Sequence, residues 1–289
     1  MAKGGVRNMK SLCISIGCSF TDGEYFEKTY YEDPPKGFKF WPDIVSEYLG
    51  LKLINLGRCG TGLDHHVYTL ANAIAKYGNK IDTILIGCSS WDRFMYPYAA
   101  GTTRVTPPHV SQTENDHNYE LFLTKRISSP SKLYKMCILS AFTNMFVMQT
   151  LADSINAKLV LFQMLNSTAV LNTWGRKYDP SNVTRVIVDA CAESTTYDLV
   201  GAHPSVMGFP FIPEIGGTIV WGNQSFQEHH STVKKSDLII GREFKKELNT
   251  NVDNVTKVWP HSKIDGHPNA LGHQFIAEKV ISHYDDVYK

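Results

Sequence analysis

Short apolar runs alternate with amphipathic stretches along the first part of the chain, and this alternation predicts an α/β fold. Ser11–Ile16 is an apolar run ended by glycine, as a buried parallel strand would be, and Lys52–Asn55 and Ile81–Ile86 repeat the pattern. Between these runs, Trp41–Leu49 and Asp64–Tyr77 carry apolar residues on one helical face. The order of strands and helices therefore favours right-handed βαβ crossovers and a parallel sheet.

The pattern continues through the middle of the chain and then fails. Ser131–Ser154 is long and apolar and predicts a helix packed on the sheet, and Lys158–Gln163 predicts a fourth strand. From 167 to 255 the composition turns to Gly, Pro and aromatic residues, which we interpret as an irregular insertion that covers one end of the sheet. Tyr96–Asn118 is a second, shorter irregular stretch, and Ala270–Tyr284 predicts a closing amphipathic helix. We expect a single domain over all 289 residues.

Composition and charge limit the classes of binding partner that we expect for this chain. The chain has 29 Lys and Arg against 28 Asp and Glu, so its net charge of +1 favours neither nucleic acid nor an anionic membrane. The apolar run Leu12–Ile16 is too short for a signal peptide, and no run approaches the length of a membrane-spanning helix. The six cysteines form no CxxC pair, which is more typical of a reducing compartment than of a disulfide framework. We therefore expect a cytoplasmic protein with no nucleic-acid or membrane partner.

A candidate nucleophile lies just beyond the first predicted strand. Open parallel sheets bind ligands at the carboxyl ends of their strands, and Ser19 comes directly after such an end. Gly17 and Gly23 allow a tight turn around it, so that the Ser19 N–H can point at a developing oxyanion. The alternative is a helix-capping serine, which would be the better interpretation of most isolated G-x-S triplets.

A candidate base and its orienting acid lie near the other end of the chain. His267 precedes Pro268 and Asn269 at the start of the last predicted helix, where Asn269 can cap that helix. Asp265, two residues earlier, is close enough in sequence to accept a hydrogen bond from the imidazole and fix its tautomer. A lone histidine is more often a surface or core residue, but the neighbours of His267 favour a catalytic role.

Three segments together resemble the conserved blocks of the SGNH (GDSL) hydrolase family. The segments are Gly17–Gly23 (G-C-S-F-T-D-G), Asn55–Gly60 (N-L-G-R-C-G) and Asp265–Asn269 (D-G-H-P-N). The resemblance implies a three-layer, flavodoxin-like α/β/α fold with a central parallel five-stranded sheet and no cofactor. It also implies a triad of Ser19, His267 and Asp265, with the N–H groups of Ser19 and Gly60 in the oxyanion hole. Segments similar to G-C-S-F-T occur near the start of bacterial and phage-encoded relatives in this family.

The sequence departs from the family pattern at three points. Cys18 replaces the usual aspartate before the nucleophile, which removes no catalytic atom. The commonest form of the last block is D-x-x-H, with two residues between acid and base. Here Ile264 stands at that aspartate position, and Asp265 is separated from His267 by only one residue. The third block reads Gly87–Arg93 and has no asparagine to donate to the oxyanion; Trp91 stands at that position. A hydroxyl of Ser89 or Ser90 could replace the missing donor, and we favour Ser90.

The cysteines that follow the strands suggest a different chemistry. Cys18, Cys59 and Cys88 could converge near Ser19, with His267 beside them, and so invite a zinc interpretation. Structural zinc sites usually have paired ligands at short spacing, which this sequence lacks, so we favour packing of small residues and expect no metal. Cys18 as the nucleophile is a further alternative.

These residues predict a serine esterase or deacetylase that acts through an acyl-enzyme. The family resemblance implies small acyl esters, including O-acetyl groups on carbohydrate, as its substrates. The expected partner is therefore a small-molecule or carbohydrate ester. Aromatic residues of the 167–255 insertion would line the substrate site or form a small satellite core. They are Trp174, Phe209, Phe211 and Trp221. The alternatives are an acyltransferase using the same triad and a non-catalytic binding module on a degenerate scaffold.

Overall fold

A five-stranded sheet forms the centre of the computed structural model. The residues that the structure describes are 10–22, 39–89, 91, 94–98, 101–105, 130–164, 189–207 and 270–289. The strands are β1 (Leu12–Gly17), β2 (Lys52–Asn55), β3 (Ile81–Cys88), β4 (Phe94–Tyr98), β5 (Gly101–Val105), β6 (Lys158–Gln163) and β7 (Val206–Met207). The helices are α1 (Trp41–Leu49), α2 (Leu63–Tyr77), α3 (Pro130–Ser154), α4 (Tyr197–Ala202) and α5 (Ala270–Tyr288), with a 3₁₀ turn at Gly78–Lys80.

The sheet has the predicted parallel topology. Its strand order is β2-β1-β3-β6-β7, and each neighbouring pair is parallel. In chain order this is the 2-1-3-4-5 arrangement of flavodoxin-like folds, in which the connections reverse direction between β1 and β3. The expectation of an α/β fold with a central parallel five-stranded sheet is confirmed.

Alternate strand residues face two separate cores. One core, against α2 and α3, includes Ile14 and Ile16 of β1, Ile84 and Ile86 of β3, and Leu159 and Leu161 of β6. The other core, against α1 and α5, takes the residues between them: Cys13 of β1, Leu85 of β3, and Val160 and Phe162 of β6. Because both faces are covered, the central strands are apolar nearly throughout, which is why they appear in the sequence as continuous runs.

Several predicted element bounds agree with the structure. α1, β2 and β6 have the predicted ends, whereas β3 extends two residues further to Cys88 and α5 four residues further to Tyr288. Local chemistry explains the limits of α1. The Asp43 carboxylate accepts a hydrogen bond from the Phe40 N–H at 3.0 Å, and Gly50 ends the helix in the left-handed region at φ 65°.

Two stretches predicted to be irregular contain regular elements. β4, which ends inside Tyr96–Asn118, and β5 form an antiparallel hairpin in which Pro97 pairs with Thr102. Proline is tolerated there because each strand of a two-stranded ribbon is an edge strand. Within the predicted insertion 167–255, residues 189–207 include α4 and β7, and β7 joins the main sheet through Leu161 and Phe162. A strand of two residues is too short to produce a recognisable period. The remainder of both stretches lies outside the described residues.

No helix in the described part of the chain combines the length and the apolar character that crossing a bilayer demands.

Candidate active site

Ser19 lies in a tight turn at the carboxyl end of β1. The N–H groups of Thr21 and Asp22 donate to the Cys18 carbonyl at 2.9 and 3.0 Å, so the chain closes a helical turn around Ser19. The serine retains 7% of its accessible surface. This turn lies at the carboxyl ends of the strands, beside the point between β1 and β3 where the sheet connections reverse direction. Open α/β sheets bind their ligands at that position.

Glycines at the ends of the strands let this turn sit close to the sheet. Gly17 and Gly87 are register partners on β1 and β3, and the fully buried side chain of Thr21 packs against both. A Cβ on Gly17 would lie 2.1 Å from Thr21 Oγ1, and one on Gly57 would lie 2.7 Å from the Thr21 carbonyl carbon. Any larger residue at Gly17 or Gly57 would therefore displace the turn.

The loop after β2 runs beside the turn and carries Gly60. The Arg58 N–H donates to the Gly17 carbonyl at 2.9 Å, and the Thr61 hydroxyl donates to the same carbonyl at 3.2 Å. Gly60 adopts φ 73°, a left-handed conformation that costs glycine nothing but is strained for other residues. The loop that contains the predicted oxyanion donor is thus bonded to the end of the strand that leads to Ser19.

Two polar side chains that sequence reasoning did not single out join this loop to the turn. The Asn55 amide nitrogen donates to the Thr21 carbonyl at 2.6 Å, and the Asp22 carboxylate accepts from the Cys59 N–H at 2.8 Å. Asp22 lies in the segment Gly17–Gly23 and Asn55 in the segment Asn55–Gly60. Membership of these two motif segments is the only feature of the sequence that could have pointed to a role for either residue.

The indole of Trp91, at the position of the missing asparagine, is part of the core. Trp91 is 2% exposed, packs edge-on against Phe142 at 5.4 Å and donates from Nε1 to Gln163 Oε1 at 2.9 Å. The Gln163 amide nitrogen in turn donates to the Ser89 carbonyl at 3.1 Å. Ser89 is fully buried, and its Oγ has no hydrogen-bond partner among the described residues. Ser90, the favoured third donor, lies outside them.

The three cysteines behind the zinc interpretation lie in different surroundings. Cys18 belongs to the core on the α1 and α5 side, and Cys88 to the core on the α2 and α3 side, whereas Cys59 is half-buried. Burial, with a smaller contribution from nearby Cys18, raises the pKa of the Cys88 thiol far above its ordinary value. Within the described ranges no three His, Cys, Asp or Glu side chains are grouped to hold a metal ion. The positions of Cys18 and Cys88 in two hydrophobic cores favour a packing role for these thiols over zinc binding.

Trp41 connects the Ser19 turn to the last helix. Its indole N–H donates to the Phe20 carbonyl at 3.1 Å, and its backbone N–H, at the first position of α1, donates to Nδ1 of His273 at 3.3 Å. His273 is fully buried in the first turn of α5. Asp265 and His267 lie outside the described residues, and their roles stay predictions. In the sequence, His267 comes three residues and Asp265 five residues before Ala270, where α5 begins.

Comparison with known proteins gives structural neighbours only. No protein-family model and no curated protein sequence matches the chain. LAE5, an alpha/beta hydrolase enzyme from the metagenome of Lake Arreo, is 12% identical over 97% of this chain and 98% of its own, with a TM-score of 0.40. A catalytic mutant of Axe2, an acetylxylan esterase from Geobacillus stearothermophilus, is 12% identical over 95% and 94%, with a TM-score of 0.41. A member of the lipolytic protein G-D-S-L family from Veillonella parvula is 12% identical over 94% and 97%, with a TM-score of 0.39.

Proposed function

We propose that the protein is a serine hydrolase of the SGNH (GDSL) type that cleaves small acyl esters, with O-acetyl groups on carbohydrate as the substrate class. The observation that carries the proposal is the position of Ser19. It lies in a glycine-bounded turn at the reversal point of the sheet, bonded to the loop that carries Gly60. Nucleophile and oxyanion donors need this adjacency for acyl transfer.

The reaction follows from the predicted triad. Ser19 Oγ attacks the ester carbonyl carbon while His267 takes the hydroxyl proton, and Asp265 holds the imidazole in the correct tautomer. The tetrahedral intermediate collapses, the C–O bond to the alcohol breaks, and His267 returns its proton to the leaving oxygen. Water, deprotonated by His267, then attacks the acyl carbon, the bond from that carbon to Ser19 Oγ breaks, and His267 returns the proton to Oγ as the acid is released.

The oxyanion requires donors in fixed positions. We assign the Ser19 and Gly60 N–H groups and the Ser90 hydroxyl. The Trp91 indole is committed to Gln163, which supports a donor other than the residue at the asparagine position. Removing one such donor from a serine hydrolase costs about 10²–10³ in kcat, or roughly 2.7–4 kcal/mol of transition-state stabilisation. Ser90→Ala should therefore lower kcat within that range, measured on p-nitrophenyl acetate.

A fluorophosphonate probe tests the proposed function. The wild-type protein should become labelled at Ser19, and Ser19→Ala should lose both labelling and hydrolysis of p-nitrophenyl acetate. Ser140→Ala, which changes an exposed serine of α3, is the matched control and should behave as wild type. An unlabelled wild-type protein, beside a serine hydrolase that labels under the same conditions, would refute the proposal. A labelled acyl donor offered with a sugar acceptor distinguishes hydrolysis from acyl transfer.

A further inference from the structure

The Asn55 side chain is bonded to three separate segments at the end of β2. Its Oδ1 accepts from the Ser15 hydroxyl and from the Gly57 N–H, each at 2.9 Å, and its Nδ2 donates to the Thr21 carbonyl at 2.6 Å. The orientation of the amide is determined by these contacts, because a backbone N–H can only donate and a carbonyl can only accept. Asn55 therefore uses both ends of its amide at once.

Two of these segments carry the reacting groups. Thr21 closes the turn that holds Ser19, and Gly57 opens the loop that reaches Gly60. The bond between the Asp22 carboxylate and the Cys59 N–H is a second connection between the same segments. Asn55 thus spans the gap between the nucleophile and the predicted oxyanion donor.

We propose that Asn55 is a positioning residue that sets the distance and orientation between the Ser19 turn and the Gly60 loop. The inference rests on the proposed function, in which both segments act on one carbonyl group. Oxyanion donors work when they lie about 2.7–3.1 Å from the oxyanion, and a displacement of about 1 Å can cost about 10²-fold in rate. Asn55 acts through its neighbours and need not touch the substrate.

Asn55→Asp is the informative substitution. It keeps the size of the side chain and an oxygen for Ser15 and Gly57, but it replaces the donor to Thr21 with a second acceptor. A carboxylate oxygen facing a carbonyl oxygen repels it, so the turn and the loop should separate. Because Asn55 is exposed at the end of an edge strand, solvent can hydrate the new charge and the protein should still fold.

Two control variants isolate the effect. Asn72→Asp makes the same chemical change on the exposed face of α2, and Ser15→Ala removes the one Asn55 bond that reaches neither the turn nor the loop. For Asn55→Asp we expect kcat on p-nitrophenyl acetate to fall about tenfold or more with KM changed less than about twofold. Both controls should stay within about threefold of wild type. A kcat for Asn55→Asp equal to that of Asn72→Asp would overturn the proposal.

Hydrogen exchange measured by mass spectrometry separates this proposal from the proposed function. In Asn55→Asp the amides of residues 18–22 and 56–61 should exchange at least fivefold faster than in Asn72→Asp, with the strands unchanged. If the wild-type protein proves to have no esterase activity, the proposed function fails, and faster exchange in these two segments still supports the positioning role. Equal exchange in the two variants would overturn it whatever the activity.

Discussion

Single glycines determine how closely the Ser19 turn approaches the sheet and the loop after β2. A Cβ at Gly57 would lie 2.7 Å from the Thr21 carbonyl carbon and 2.8 Å from the Asp22 nitrogen, and both are backbone atoms that cannot rotate away. Gly50 presents the opposite case, because its φ is 65° but nothing lies within 4 Å of its Cβ position. Gly57 is therefore required because a side chain has no space there, whereas Gly50 is required because its backbone is left-handed.

Gly57→Ala should destabilise the protein by about 1–3 kcal/mol through overpacking, and it should slow fluorophosphonate labelling of Ser19 because the turn must move. Gly50→Ala should cost a similar amount, about 1–2 kcal/mol, through the strain of a left-handed alanine, yet leave the labelling rate unchanged. Urea denaturation and labelling kinetics measure the two effects. Normal labelling of folded Gly57→Ala would show that the turn tolerates the added methyl group.

Part of the geometry around the candidate site could be predicted from the sequence. The position of Ser19 directly after β1 follows from the apolar run before it, whereas Gly60 was singled out only through the motif resemblance, and its left-handed φ of 73° comes from the structure. The bridging roles of Asn55 and Asp22 could not be predicted, since a polar residue beside a turn has many possible local partners. Only the packing of the two loops selects the Thr21 carbonyl and the Cys59 N–H.

At the scale of elements, the contact between α5 and the segment before β7 should respond to pH. Burial lowers the pKa of His283 below its ordinary value of 6.5, although hydrogen bonds to the carbonyls of Pro204 and Ser205 oppose that shift. The imidazole lies 3.1 Å from the Pro204 carbonyl. Because the folded state holds the proton less tightly than the unfolded state, the neutral form stabilises the fold. That contribution is complete above about pH 6.5 and declines as the pH falls below it.

His283→Gln should therefore reduce the acid sensitivity of the fold. The decrease in Tm between pH 7.5 and pH 5.5 should be smaller for the variant than for the wild-type protein, as measured by differential scanning calorimetry in buffers of equal ionic strength. Glutamine can still donate to the Pro204 carbonyl, so the comparison isolates the titrating group. The same decrease in both proteins would contradict a role for His283.

How well an element could be predicted depended on its length and on whether residues such as glycine mark its ends. α1 and β6 had the predicted bounds because each has a clear apolar pattern, and Gly50 marks the end of α1. β7 was missed because two residues have no period, and its status as a strand depends on β6 beside it. The β4–β5 hairpin was missed because Pro97 argues against a strand unless the strand is an edge.

At the scale of the whole molecule, the two-sided burial of the sheet should produce graded stability. β1 is buried at each of its six positions, whereas β2 lies at the sheet edge with both of its ends exposed. Amides of β1 and of the central part of β3 should exchange with solvent only through global unfolding, and those of β2 should exchange through local opening. Native-state hydrogen exchange at increasing urea measures this difference. Equal protection of β1 and β2 would show that the sheet opens as one unit.

The contact between Trp41 and His273 joins residues 232 positions apart, and this separation affects how the protein is made. A ribosome produces α1 long before α5. Until α5 emerges, the nascent chain leaves the α1 side of the sheet, including Val160 and Phe162, without its second helix. Exposed apolar surface of this kind attracts chaperones and promotes aggregation. Burial of this surface is thus a late step of biogenesis, and an interrupted translation product should be a substrate for quality control.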